Sequence, residues 1–167
     1  MRRKLRNPDS DVLDPVGDRW RYTAAANQET VSMIEGHCEC GAVRYRVEGD
    51  VHDYSHCHCS QCRRLHGAAF ASFAGVRRDD FRLLSGADMI RSYASSPSHD
   101  RRFCGNCGSN LLVALTDEPE DYYLAMGTID GDPALPPAYH IFVGSKAPWY
   151  EIADTAPQFE AFPDEDS

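Results

Sequence analysis

Short alternating segments dominate the middle of the chain. The clearest is 42–47, in which Val43, Tyr45 and Val47 lie on one side of an extended chain and two arginines lie on the other. This period of two is typical of a strand with one buried face. Segment 68–74, which consists of small and aromatic residues, predicts a more deeply buried strand.

Further short apolar segments follow, and Gly, Pro, Asp or Asn residues separate most of them. They are 81–84, 89–93, 111–115, 122–126 and 139–143. One or two helical turns are indicated through 61–65, with Ser60 as the residue that caps them. The pattern therefore predicts a mainly β domain with few short helical turns.

The two ends of the chain lack these patterns. Residues 1–33 combine prolines and glycine with scattered charges, and neither the helical nor the strand period persists there. We expect an N-terminal extension at 1–33, which is flexible, one domain at 34–163, and an acidic tail at 164–167.

Composition argues against two classes of partner. No apolar segment approaches the ~20 residues that a membrane-spanning helix needs. The formal net charge is −9, whereas proteins that bind a phosphate backbone rely on clustered Lys and Arg. We therefore expect neither membrane nor nucleic-acid binding, and the sequence leaves the oligomeric state open.

Cysteines form three tight groups. They are Cys38 and Cys40; Cys57, Cys59 and Cys62; and Cys104 and Cys107. Seven thiols cannot all pair as disulfides, and the basic start is followed by polar residues instead of the apolar part of a secretory signal. We therefore expect a cytoplasmic chain with reduced thiols, whose spacing favours metal ligands over disulfides.

The first and last groups complement each other. Cys104 and Cys107 lie three residues apart on a turn rich in Gly and Asn, so both sulfurs can face one ion. Alone, such a pair could also be a redox pair. Cys38 and Cys40 supply the two missing ligands, because residues two apart on an extended segment project the same way. The four cysteines predict a closed, structural zinc site.

The middle group can bind a second ion from one loop and the start of the predicted helix. A nearby histidine could close this site, and the candidates are His56, His58 and His66. On an extended segment, however, His56 and His58 point away from Cys57 and Cys59. This geometry favours three ligands and an open position, which is typical of catalytic zinc.

Several segments resemble the glutathione-dependent formaldehyde-activating enzyme family, which includes centromere-protein-V-like domains. The segments that carry the cysteines are GHCECGAVRY at 36–45, HCHCSQCRR at 56–64 with HGAAF at 66–70, and RFCGNCGSNL at 102–111. Weaker similarity continues through GTID at 127–130, YHIF at 139–142 and SKAPW at 145–149. The resemblance covers about 34–163 and leaves 1–33 outside.

This resemblance implies a β-tent zinc fold of short antiparallel strands with two Zn²⁺ ions per chain. The structural ion would be bound by Cys38, Cys40, Cys104 and Cys107, and the catalytic ion by Cys57, Cys59 and Cys62. It also implies carbon–sulfur lyase activity, in which glutathione condenses with formaldehyde or another small aldehyde to S-hydroxymethylglutathione.

Other candidate residues come from the sequence around these groups. Substrate carboxylates could pair with Arg63, Arg64 or Lys146, and candidate proton carriers are His66, His140 and Tyr139. The pairs 63–64 and 101–102 are arginines beside cysteine groups, where they could meet a small anionic ligand. The alternative hypothesis is a zinc-binding interaction or thiol-sensing module without turnover, which a fourth protein ligand in the middle group would favour.

Overall fold

The computed structural model describes residues 33–163. Residues 1–32 of the extension predicted at 1–33, and the acidic tail predicted at 164–167, lie outside the described residues, whereas Met33 is the first residue of a strand. Within 33–163 the prediction of a mainly β fold is confirmed, with ten strands and one α-helix. The same residues contain no helix that is long and apolar enough to cross a bilayer.

The elements follow one another closely along the chain. The strands are β1 (Met33–His37), β2 (Arg44–Glu48), β3 (Asp53–Cys57), β4 (Ala71–Arg77), β5 (Phe81–Ser85), β6 (Ile90–Ser96), β7 (His99–Cys104), β8 (Asn110–Leu115), β9 (Asp121–Ala125) and β10 (Tyr139–Ile141). The helix α1 (Ser60–His66) lies between β3 and β4.

Two sheets enclose the main core. The smaller has the order β1-β2-β5, and the larger has the order β10-β3-β4-β9-β8-β7-β6. Val43, Tyr45 and Val47 are buried from the smaller sheet, and they belong to one cluster with Val76 and Leu124 of the larger sheet. The strand neighbours are antiparallel except that β10 runs parallel to β3. That parallel pair places His140 opposite His56, close to the middle cysteine group.

Local structure around the helix departs from the sequence-based prediction. Cys59, and not Ser60, is the N-cap of α1, because its sulfur accepts a hydrogen bond from the N–H of Cys62. Gly67 ends the helix in the left-handed conformation with φ 59°, which is the usual glycine C-cap. The strand predicted at 68–74 therefore begins later, at Ala71.

Three strands, β1, β3 and β7, were not predicted from the hydrophobic pattern. The inward positions of β3 are Ser55 and Cys57, and those of β7 are Arg101 and Cys104. A polar or thiol residue at an inward position hides the period of two on which the prediction relies. The missed strands β3 and β7 are the ones that contribute cysteines and an arginine to the sites described below.

Candidate metal centres

Four cysteine sulfurs converge where the turn after β1 meets the turn after β7. The Sγ atoms of Cys38, Cys40, Cys104 and Cys107 all lie within 4.8 Å of one another. The distance is 3.4 Å between Cys38 and Cys40 and 3.8 Å between Cys40 and Cys104. A zinc–sulfur bond of ~2.3 Å separates tetrahedral sulfurs by about 3.8 Å. The group therefore fits a zinc ion bound by four thiolates.

Backbone and hydroxyl groups hold this four-cysteine cluster in place. The N–H of Val43 donates to Sγ of Cys38 over 3.3 Å, and the N–H of Glu39 donates to Oγ of Ser109 over 3.0 Å. The second bond joins a turn of the smaller sheet to a turn of the larger one. The cluster thus lies at a junction between the two sheets.

The thiols of the four-cysteine cluster differ in acidity. Hydrogen bonds from the Ser109 hydroxyl, and then from its backbone, lower the pKa of Cys107 to about 5. Burial raises the pKa of Cys38 to about 11. Cys107 is therefore a ready thiolate at neutral pH, whereas Cys38 needs a metal ion to favour loss of its proton.

The middle cysteines form a second group at the junction of β3 and α1. Cys57 is the last residue of β3, Cys59 caps α1, and Cys62 lies in its first turn. Their sulfurs lie within 4.8 Å of one another. Among the residues described, no further Cys, His, Asp or Glu ligand atom joins this group.

The acidities within this three-cysteine cluster are coupled. Thiol hydrogen bonds from Cys57 and then Cys62 lower the pKa of Cys59. The same interaction with Cys59 raises the pKa of Cys57, and burial adds to the rise. Three sulfurs held this close together are a donor set suited to a soft divalent ion such as zinc.

The neighbouring histidines are held away from the sulfurs by other partners. His58 is fully buried, and its Nε2 lies 2.8 Å from Nδ1 of His140. Nε2 of His140 lies 3.1 Å from the carboxylate of Asp154. Nδ1 of His56 lies 2.9 Å from Oγ of Ser72. Burial lowers the pKa of His58 to about 4, so this ring is neutral at neutral pH.

The other candidate residues are distributed around the cluster. Arg63 donates to the carbonyls of His58 and Ser145, and Lys146 donates to the carbonyl of Tyr150. The bond from Arg63 to Ser145 joins α1 to the loop after β10, and the bond of Lys146 lies within that loop. Among the remaining candidates, Arg64 is exposed, His66 packs edge-on against Phe73 with a ring-centroid distance of 5.5 Å, and Tyr139 donates to Asp53 over 2.5 Å.

Arg101 is a site residue that the sequence analysis names only within the pair 101–102, as a possible partner of a small anionic ligand. Its side chain is 5% exposed and reaches from β7 to the three-cysteine cluster. Nη2 lies 3.6 Å from Sγ of Cys62 and 3.1 Å from Oε1 of Gln61. In the sequence Arg101 is followed directly by Arg102, and nothing in the pattern indicates which of the two side chains is buried.

Comparisons with known proteins agree with the resemblance in the cysteine segments. The family described as glutathione-dependent formaldehyde-activating enzyme matches residues 33–145. A Halomonas elongata protein that carries this family name provisionally is 32% identical over 80% of this chain and 90% of its own length. An uncharacterised lyase of Schizosaccharomyces pombe is 26% identical over 75% of this chain and 89% of its own. A crystal structure of a Rhodobacter sphaeroides protein superposes with a TM-score of 0.51 at 31% identity, covering 59% of this chain and 89% of that one.

Proposed function

The chain belongs to the glutathione-dependent formaldehyde-activating enzyme family, and from that premise we propose that it is a zinc-dependent carbon–sulfur lyase. It condenses a thiol, with glutathione as the expected substrate, with formaldehyde or another small aldehyde. We further propose that residues 34–163 act as one zinc-built domain with two ions, one structural and one catalytic, and that the protein works in a reducing compartment such as the cytoplasm.

One observation supports the catalytic assignment most strongly. The sulfurs of Cys57, Cys59 and Cys62 converge without a fourth Cys, His, Asp or Glu ligand atom among residues 33–163. Three protein ligands with room for an external one characterise catalytic zinc sites, whereas structural sites are closed. The four-cysteine cluster has the composition of a closed site.

The reaction joins the two substrates without a net change in oxidation state. A carbon–sulfur bond forms between the thiol sulfur and the aldehyde carbon, and the thiol proton ends on the former carbonyl oxygen. A zinc ion held by Cys57, Cys59 and Cys62 would favour loss of that proton, since coordination to a divalent ion deprotonates thiols. Positioning both substrates in one site supplies a further gain over the reaction in solution.

The chain itself orients the sulfurs. The cap of α1 fixes Cys59 and Cys62 relative to each other, and β3 fixes Cys57. Behind Cys57 and Cys59, the ring of His58 packs against Phe70 and Tyr150 at centroid distances of 5.1 and 5.9 Å. These ring contacts fix the position of His58 between the two cysteines.

The proposal is tested by following adduct formation from glutathione and formaldehyde with zinc-loaded protein. We expect the rate to exceed the spontaneous reaction and Cys62→Ser to return it to that background. Ser60→Ala, a change at an exposed position of the same helix, is the matched control and should keep the activity. A zinc-replete protein that accelerates no member of an aldehyde panel would favour the non-catalytic zinc module instead.

A further inference from the structure

Arg101 is a buried cation that has no carboxylate partner among residues 33–163. It is 5% exposed, and the ion pairs in this part of the chain do not include it. Its polar contacts are neutral Ser95 and Gln61 and the sulfur of Cys62. A buried charge is stable only when it is paired. The cysteine sulfurs are therefore the only described groups that can supply its countercharge.

The guanidinium also retains an unused donor. Nε donates to Oγ of Ser95 over 2.9 Å, and Nη2 is shared between Gln61 and Cys62. Nη1 is buried and has no acceptor among the described residues. Leaving a buried charged donor unpaired is unfavourable. Binding of an anionic acceptor at Nη1 is therefore favourable.

The neighbouring arginine provides an internal comparison. Arg102 follows Arg101 on β7, so its side chain lies on the opposite face of the sheet. It donates to Asp100 over 3.1 Å and to the hydroxyl of Tyr122 over 3.3 Å. Arg102 thus has the carboxylate partner that Arg101 lacks, and it has no contact with the three-cysteine cluster.

We propose that Arg101 is the anion-binding residue of the three-cysteine site and that the anion is the thiolate sulfur of the substrate. Three thiolates and one divalent ion carry a net negative charge, and a fourth thiolate increases it. The guanidinium offsets that increase and offers Nη1 as a hydrogen-bond donor. The thiol binds as its anion, and its proton is released to solvent. This inference rests on the proposed function, because that function provides the thiol.

The test measures thiol binding to zinc-loaded protein by calorimetry, without aldehyde. The two ligands are glutathione and 2-mercaptoethanol, which has no carboxylate. Arg101→Met should lower the affinity for both thiols by about tenfold or more, because a charge-assisted hydrogen bond is lost. Arg101→Lys, which keeps the charge but not the planar donor fork, should lower it less. Arg102→Met is the matched control and should leave both affinities unchanged.

A second control separates the charge of Arg101 from its role in holding α1. Gln61→Leu removes the helix contacts to Arg101 and to the Ser95 carbonyl and keeps the guanidinium. It should lower thermal stability while thiol affinity stays close to that of the wild type. If Gln61→Leu lowers the thiol affinity as much as Arg101→Met does, the role of Arg101 is to hold α1 in place and the proposal is wrong.

The remaining outcomes are also decisive, provided that each variant retains two zinc ions per chain. If Arg101→Met binds glutathione more weakly but 2-mercaptoethanol with unchanged affinity, the guanidinium contacts a carboxylate of glutathione. That result would overturn the thiolate assignment. Unchanged affinity for both thiols would overturn the role of Arg101 and leave the proposed function intact. Failure of the wild type to bind either thiol would overturn both.

Discussion

Ser55, His58, Arg101 and His140 are the polar residues buried within 33–163. His58 lies between Cys57 and Cys59 in the sequence, and Arg101 contacts the sulfur of Cys62. His140 in turn contacts His58. Burial of such groups opposes folding unless they are paired. Buried polar groups therefore lie around the cluster that has no fourth protein ligand. This pattern is expected of a site that binds an external molecule.

His66 provides a prediction about pH at this scale. Burial, and then the charge of Arg101, lowers the pKa of His66 below its usual value of 6.5. Because the unfolded chain binds the proton more readily, this residue contributes stability above pH 6.5 that is lost as the pH falls through the folded-state value. We expect the imidazole NMR signal to titrate below 6.5, and Arg101→Met to move that titration upward.

The His66 prediction has a thermodynamic control. His66→Asn should reduce the fall in unfolding free energy on the acid side of pH 6.5, because one of the groups that titrate there is gone. An imidazole that titrates at or above 6.5 in the folded protein would contradict the described burial.

At the scale of single elements, α1 is short and depends on its two ends. It has seven residues, whereas isolated helices below about 12–15 residues are marginal in water. Cys59 satisfies the N–H of Cys62, and Gly67 donates to the carbonyl of Arg63. The ends that stabilise the helix therefore also fix two cysteines of the three-cysteine cluster.

The C-cap of α1 gives a prediction with an internal control. Gly67 has φ +59° and open space where a Cβ would lie, so Gly67→Ala should destabilise by about 1–2 kcal/mol through backbone strain alone. Gly127 also has open space but lacks a positive φ, and Gly127→Ala should be nearly neutral. Denaturant unfolding measures both, and equal effects would contradict the left-handed cap.

The sequence predicts some elements and both clusters well, for a physical reason. The strand predicted at 42–47 is observed as β2, and its inward residues Tyr45 and Val47 are hydrophobic, so its period is visible. Ligand spacing alone brings Cys57, Cys59 and Cys62 together, because they lie within six residues. Arg101 reaches Cys62 only through the pairing of β7 with β6 and β8, and one-dimensional patterns do not contain such a contact.

At the scale of the whole molecule, the four-cysteine cluster connects the two sheets. Cys38 and Cys40 follow a strand of the smaller sheet, whereas Cys104 ends β7 of the larger one and Cys107 lies in the turn after it. Structural zinc sites bind with about 10–16 kcal/mol, comparable with the whole stability of a domain, about 5–15 kcal/mol. We therefore expect removal of this ion to abolish cooperative folding.

Paired substitutions test this division between the sites. Cys107→Ser should lose the cooperative thermal transition along with one zinc ion. Cys62→Ser should lose the other ion and the activity but keep the transition, because its cluster lies within one sheet and the adjoining helix. If both variants unfold alike, the separation into structural and catalytic ions is wrong.

The central claim is that one zinc ion keeps a position for a thiol while the other is closed. Zinc X-ray absorption on the two-ion protein, with and without glutathione, tests it most directly. We predict four sulfur ligands around one ion and three around the other in the free protein, and four around both once glutathione is bound. Four protein ligands around both ions before glutathione is added, with no change afterwards, would contradict the account.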